Sequence, residues 1–169
     1  DSSLGPGTDS ATAMVISTAP TFSAAASINP DPAYTGNLLT CAATATDIDD
    51  GAITPIFEWT VGSTVLGTGN TYTVDDADTN VGDLITCTAT ATDSDNETVT
   101  SVANVTVENT APVINSVAIS SGSGTFYNSD TVICTASTAD VDDNINNIQF
   151  SWTSGSVVLG ASITLDLTT

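Results

Sequence analysis

The chain contains no lysine, no arginine and no histidine, so its 20 Asp and Glu residues have no fixed cation beside them and the formal net charge is −20. Nucleic acids and anionic lipid surfaces are bound by neutralising phosphate with Lys or Arg. Both are therefore excluded as direct partners. An imidazole base, an amine nucleophile and a cationic clamp for an oxyanion are missing for the same reason. Paired carboxylates, as in glycoside hydrolysis, are the acid–base scheme that survives. Lys–Asn isopeptide cross-links and trypsin cleavage also lack their residues. Two pressures fit such a composition equally. One is resistance to proteases on an outer surface; the other is a saline or acidic medium, in which a carboxylate-only surface stays soluble.

Long apolar runs are lacking too. Residues 10–30 carry no charge, but they are rich in Ser, Thr and Ala and are interrupted by Pro20 and Pro30, so they do not form a membrane span. Even so, 169 residues with 40% hydrophobic content suffice to bury real cores in one or two domains. No signal peptide is recognisable and the first residue is Asp1 rather than Met, which reads as a processed or excerpted piece.

What the chain does have is an internal repeat. Cys41, Asp47, Asp49, Asp50, Trp59, Gly62, Val65, Leu66 and Gly67 recur as Cys134, Asp140, Asp142, Asp143, Trp152, Gly155, Val158, Leu159 and Gly160, each pair 93 residues apart. Thr18-Ala19-Pro20 recurs as Thr110-Ala111-Pro112 at a spacing of 92, which also places Val107 on Val15. The expected organisation is a terminal strand of a preceding repeat over residues 1–19, a complete repeat over 20–111, and a second repeat from 112 to 169 that lacks its last strands.

Within the complete repeat, Leu39, Cys41, Ala43 and Ala45 alternate with Thr40, Ala42, Thr44 and Thr46. Ile85, Cys87, Ala89 and Ala91 alternate in the same way with Thr86, Thr88, Thr90 and Thr92. Period two predicts half-buried strands whose threonine rows face solvent. Phe57, Trp59 and Val61 share one face of a further strand, followed by short strands near Thr64–Leu66 and Thr71–Val74 and a closing run over Val102–Val107. Turn residues sit at the joints, as in Asp49-Asp50-Gly51 and Gly67-Thr68-Gly69-Asn70. Seven or so short strands in about 90 residues predict a two-sheet sandwich, all-β.

Cys41, Trp59 and Cys87 follow one another at spacings of 18 and 28. This resembles the Cys…Trp…Cys pattern of immunoglobulin domains. The resemblance implies tandem immunoglobulin-like β-sandwich repeats of about 92–93 residues, with Cys41 on strand B, Trp59 in the core on strand C and Cys87 on strand F. It implies a Cys41–Cys87 disulfide, which would close a loop worth about 3–4 kcal/mol on the chain-entropy estimate and would place the protein outside the reducing cytosol. Two buried thiols in a small-residue core are the alternative. Thr44-Ala45-Thr46-Asp47, Thr88-Ala89-Thr90-Ala91-Thr92-Asp93 and Glu108-Asn109-Thr110-Ala111-Pro112 look like the tandem Ig-like modules of long secreted bacterial proteins, related in style to cadherin-like and polycystic-kidney-disease-like repeats. Trp152 takes the core position of the second repeat. Cys134 finds no partner in the sequence and is expected to pair outside it. Either the chain is excerpted from a longer array, the favoured reading, or a neighbouring subunit completes the sandwich by strand addition, with residues 9–18 as the donated strand.

The carboxylates cluster. Asp47, Asp49 and Asp50 follow the first cysteine strand and recur as Asp140, Asp142 and Asp143; Asp93 and Asp95 follow the second cysteine strand, and Asp75, Asp76 and Asp78 precede it. Calcium takes six to eight oxygens, and carboxylates at alternate loop positions supply them. By the resemblance, the loops holding Asp47, Asp49, Asp93 and Asp95 converge at one end of the module. Calcium near a joint between modules is the expected cofactor, and solvated turn residues are the alternative. Sequons stand at Asn96-Glu97-Thr98 and Asn104-Val105-Thr106.

The expected function is that of an extracellular structural module, part of a cell-surface stalk or filament, in which each sandwich adds on the order of 40 Å. Its partners are neighbouring Ig-like modules or identical subunits arranged head to tail. An adhesin or carbohydrate-binding module is the alternative, weakened because both Trp residues take core positions and Tyr34 and Tyr127 share a repeat position that fits packing. A glycosidase is disfavoured because the acidic groups recur once per repeat, as scaffold features do, so no catalytic residues are assigned.

Overall fold

The structure is a computed structural model that describes residues 10–14, 16–142 and 147–168. It is all-β, with no helix among the described residues. A first group of strands comprises β1 (Thr21–Asn29), β2 (Leu38–Asp47), β3 (Gly51–Ile53), β4 (Ile56–Val61), β5 (Thr64–Thr68), β6 (Thr71–Thr73), β7 (Leu84–Thr92) and β8 (Thr98–Thr106). The second group comprises β9 (Val113–Ser121), β10 (Thr131–Ala139), β11 (Trp152–Ser154), β12 (Val157–Gly160) and β13 (Thr164–Asp166). In the first group, β1, β2 and β3 form one sheet in that order, with β6 also paired to β2, and β5, β4, β7 and β8 form the other. In the second group, β13, β10 and β9 form a sheet and β11 with β12 forms a hairpin. Every paired strand is antiparallel, and one isolated parallel bridge joins Ala33 to Val107.

The period-two pattern sets which side chains are buried. On β2, Leu39, Cys41 and Ala45 are buried while Thr40, Ala42, Thr44 and Thr46 are exposed. On β7, Ile85, Cys87, Ala89 and Ala91 are buried and the threonines between them are not. The two inward faces meet in a core of Ala33, Leu39, Cys41, Trp59, Val74, Ile85, Cys87, Val105 and Val107, drawn from both sheets. Each buried Leu, Ile or Val side chain in it contributes roughly 1.5–3 kcal/mol. Trp59 lies at its centre, with its indole N–H donating to the Gly69 carbonyl at 2.9 Å, so that its one polar atom is not buried bare.

Gly62 opens the two-residue turn between β4 and β5 with φ of 56°, and Gly155 does the same between β11 and β12 with φ of 59°. Glycine at the first central position is what such a tight hairpin asks for, because a side chain there would be strained.

Several boundaries differ from the sequence expectation. The closing strand begins at Thr98 rather than Val102, because Thr98, Val99 and Thr100 already pair with the end of β7. Gly51, expected at a joint, opens β3, which pairs with the last residues of β2. Of the expected terminal strand over residues 1–19, residues 10–14 and 16–19 carry no strand, and the rest lies outside the described residues.

Candidate functional site

Alternation along β2 does not stop at the last apolar residue; it continues to Asp47, six residues beyond Cys41. Asp93 stands six residues beyond Cys87 on β7. Both carboxylates therefore turn inward at the end of the core, and each residue is only 8% exposed. Asp47 Oδ1 accepts the backbone N–H of Asp49 at 2.6 Å and of Asp50 at 3.1 Å. Asp93 Oδ1 accepts the N–H of Asp95 at 3.0 Å and of Glu97 at 2.7 Å. Each thus organises the loop that follows it, the local hydrogen bonding for which Asp is favoured in turns. The second oxygen of each, Oδ2, is buried with no hydrogen-bond partner.

The loops so formed hold onto other parts of the chain. Asp50 accepts the Ser94 N–H at 2.8 Å and the Ser94 hydroxyl at 2.9 Å, which ties the loop after β2 to the loop after β7. Asp49 Oδ2 accepts both the N–H and the hydroxyl of Thr18, at 2.9 and 2.8 Å, and so pins the segment that leads into β1. The Thr18 hydroxyl, followed by the Thr18 N–H, holds the Asp49 carboxyl below the usual carboxylate range.

The same arrangement stands farther along the chain. Asp140 Oδ1 accepts the Asp142 N–H at 3.0 Å, as Asp47 accepts that of Asp49. Asp142 Oδ2 accepts the Thr110 N–H at 2.5 Å, as Asp49 accepts that of Thr18. Asp142 also accepts the hydroxyl of Thr35, a residue of the first strand group. That hydroxyl is the main cause of the lowered pKa of Asp142, with the Thr110 groups adding to it. Beside this contact lies a crevice of about 180 Å³ lined by Thr35, Asp76, Thr79, Asn80, Val81 and Asp142.

Of the residues proposed for calcium, Asp47 and Asp93 sit in the core end, Asp49 and Asp142 clasp threonines, Asp50 holds Ser94, and Asp95 is exposed. Asp143 lies outside the described residues. Among the described residues, no three His, Cys, Asp or Glu side chains converge in a group suited to hold a metal ion.

Cys41 and Cys87 are joined by a disulfide between β2 and β7, one strand from each sheet. Trp59 is completely buried beside it, whereas Trp152 is only half-buried and Cys134 carries a free thiol. Reading the sequence alone missed Thr18, Thr35, Ser94 and Thr110 as the partners of the carboxylates. A signal was there for two of them: Thr18 and Thr110 recur in step with Asp49 and Asp142, and neither has a core role.

A separate recess of about 740 Å³ opens on the β4–β5–β7 sheet, lined among others by Pro55, Ile56, Phe57, Glu58, Asn70 and Thr88. It is mainly apolar with a few hydroxyl, amide and carboxylate groups, and it holds no pair of acids placed for catalysis. No protein-family model, no curated protein and no solved structure matches this chain.

Proposed function

We propose that the chain is a run of immunoglobulin-like β-sandwich modules, of the kind found in long secreted bacterial proteins, serving as an extracellular stalk or filament component without enzymatic activity. The module reading draws support from the strand order of the first group. Taking β1, β2, β4, β5, β6, β7 and β8 as strands A, B, C, C′, E, F and G gives one sheet of A, B and E and a second of C′, C, F and G. The disulfide between β2 and β7 and the buried Trp59 on β4 agree with that assignment.

The repeat reading draws support from hydrogen bonds that recur 93 residues on. The Trp59 indole donates to the Gly69 carbonyl and the Trp152 indole to the Ser162 carbonyl. The Cys41 N–H bonds the Asn70 carbonyl and the Cys134 N–H the Ile163 carbonyl. Val74 N–H meets Asn37, and Leu167 N–H meets Asp130.

The observation that carries the stalk reading is the recurring clasp, Thr18 to Asp49 and Thr110 to Asp142. A free linker would leave the Thr-Ala-Pro joint to water, whereas here a carboxylate of the next module holds it and Asp142 reaches back to Thr35 as well. A held joint transmits length and direction along an array, which is what a stalk needs. Small-angle scattering on the chain with Asp142→Asn tests this. The expected result is a single maximum dimension for the unaltered chain and a broader, shorter distribution for the variant; equal, broad distributions for both would sink the reading.

Calcium belongs to the proposal as a ligand of this joint. Its support is the crevice that Asp76 and Asp142 line with Thr35 and Asn80, in a chain with no cation of its own. Thermal melts with calcium against magnesium at matched ionic strength test it, and identical melts would remove calcium from the proposal. The adhesin or carbohydrate-binding reading rests on the recess at Phe57 and Glu58. A glycan panel bound by the unaltered chain and lost with Phe57→Ala at unchanged melting temperature would favour it over the stalk.

A further inference from the structure

The β9–β10–β13 sheet presents an apolar face that is buried at Val132, half-buried at Cys134, Ala136 and Leu165, and open along β9. Cross-strand partners share a face in an antiparallel sheet, so the pairs Ile119 with Cys134, Val117 with Ala136 and Leu165 with Val132 place those six residues together. Val117 is 61% and Ile119 54% exposed, and Cys134 is half-buried with a free thiol. The corresponding pair in the first group is Ile28 with Cys41. There, Cys41 is 1% exposed because Trp59, Ile85, Cys87 and Val105 of the opposing sheet lie over it, and its sulfur is bonded to Cys87.

We infer that this face of the second group is a docking surface for a two-strand antiparallel segment built like β7–β8, with small apolar residues alternating with threonine and a cysteine facing Cys134. Docking is completed by a Cys134 disulfide formed at the expense of a small-molecule disulfide oxidant. Three features of the molecule determine the occupant. The Trp152, Cys134 and Asp130 hydrogen bonds repeat those of Trp59, Cys41 and Asn37, so the second group shares local geometry with the strands that β7 and β8 cover in the first group. The exposed patch consists of short aliphatic side chains, which fit the Ala, Val and Ile of a β7–β8 face. The thiol stands in the register at which Cys41 meets Cys87. The β7–β8 pair of a second copy does not qualify, because its Cys87 is already committed to Cys41 and its inward face is buried.

The covalent step balances as two exchanges. The Cys134 thiolate attacks oxidised glutathione and releases one glutathione thiolate; the segment's thiolate then attacks the mixed disulfide and releases the second. Two protein thiols are oxidised, and one glutathione disulfide is reduced to two thiols.

The inference takes the identity of the cover from the repeat reading above, and the need for a cover from the exposed face alone. The test uses the whole chain with a synthetic peptide of residues 83–107, its cysteine free, in a glutathione redox buffer. A scrambled peptide of the same composition is the control. The expected result is a one-to-one adduct mapped to Cys134, formed at least tenfold faster with the matching peptide, together with slowed amide exchange along β9 and β10 and a blue shift of Trp152 fluorescence. A second arm pairs Cys134→Ser chain with Cys87→Ser peptide and expects the same exchange protection without a covalent bond. Equal capture of matching and scrambled peptides would overturn the inference, as would symmetric Cys134–Cys134 dimers whose exchange protection covers this same face. A flexible joint in the scattering experiment would overturn the stalk reading and leave the peptide result untouched.

Discussion

The two strand groups make the same local hydrogen bonds and reach different degrees of burial. Trp59 and Trp152 each donate to a carbonyl ten residues on, and Cys41 and Cys134 each bond a carbonyl beyond it. Yet Trp59 is fully buried and Trp152 half-buried, and Cys41 is sealed in a disulfide while Cys134 is a free thiol. Local sequence thus suffices for the turns and the strand pairing. Burial needs an opposing sheet, which β7 and β8 help supply to the first group, whereas among the described residues of the second group only Val132 is buried.

Substitutions at equivalent positions probe that contrast. Trp59→Ala should cost about 3–5 kcal/mol in urea denaturation, since a whole indole leaves a closed core. Trp152→Ala should cost on the order of 1 kcal/mol, because it loses one hydrogen bond and partial packing. Equal costs would mean that the second group is as well packed as the first. Replacing Cys41 and Cys87 together by Ala should remove about 3–4 kcal/mol, the entropy of a loop spanning 46 residues. Cys134→Ala should change the stability of the same chain by less than about 0.5 kcal/mol.

Smaller effects are expected at the inward carboxylates. Asp47→Ala and Asp93→Ala each leave two backbone N–H groups without their acceptor, so each should cost about 1–2 kcal/mol, measured as a shift in the denaturation midpoint. The last prediction concerns pH. Asp49 and Asp142 have folded-state pKa values below the ordinary 3.8, so their contribution is complete above that value and is lost as the pH falls through the lower folded-state value. Scattering profiles should therefore be constant from neutral pH down to the ordinary carboxylate range and should broaden only below it. Because Asp49 is exposed and Asp142 only half-buried, the broadening should come with little change in melting temperature. A joint that loosens near neutral pH would show that these clasps are not what holds it.

Much of the first group was legible because its signal is local and redundant. Leu39, Cys41 and Ala45 against Thr40, Ala42 and Thr44 declare a half-buried strand whatever lies opposite. The 93-residue recurrence marked Trp59 and Cys41 as scaffold positions. The carboxylates were harder to place. Asp47 and Asp93 were expected to converge with Asp49 and Asp95 as calcium ligands, but Asp47 holds the last inward position of β2 and Asp93 the inward position just past β7. Their Oδ1 atoms serve backbone N–H groups that no side-chain pattern displays. The clasps to Thr18, Thr35 and Thr110 span 31, 107 and 32 residues, and pairing a hydroxyl with a carboxylate at such separations needs the strands already in place.

By itself, then, the sequence determined the all-β class and the alternation of the strands, because these follow from a periodicity that acts within a few residues. The resemblance implied the Cys41–Cys87 disulfide, and it is present; only the tertiary structure decided that Asp47 and Asp93 close the end of the core, that Asp49 and Asp142 clasp Thr18 and Thr110, and that Val117 and Ile119 stand exposed. Each of these depends on which sheet faces which, and in a chain without a single cation no charge pairing marks those contacts in advance.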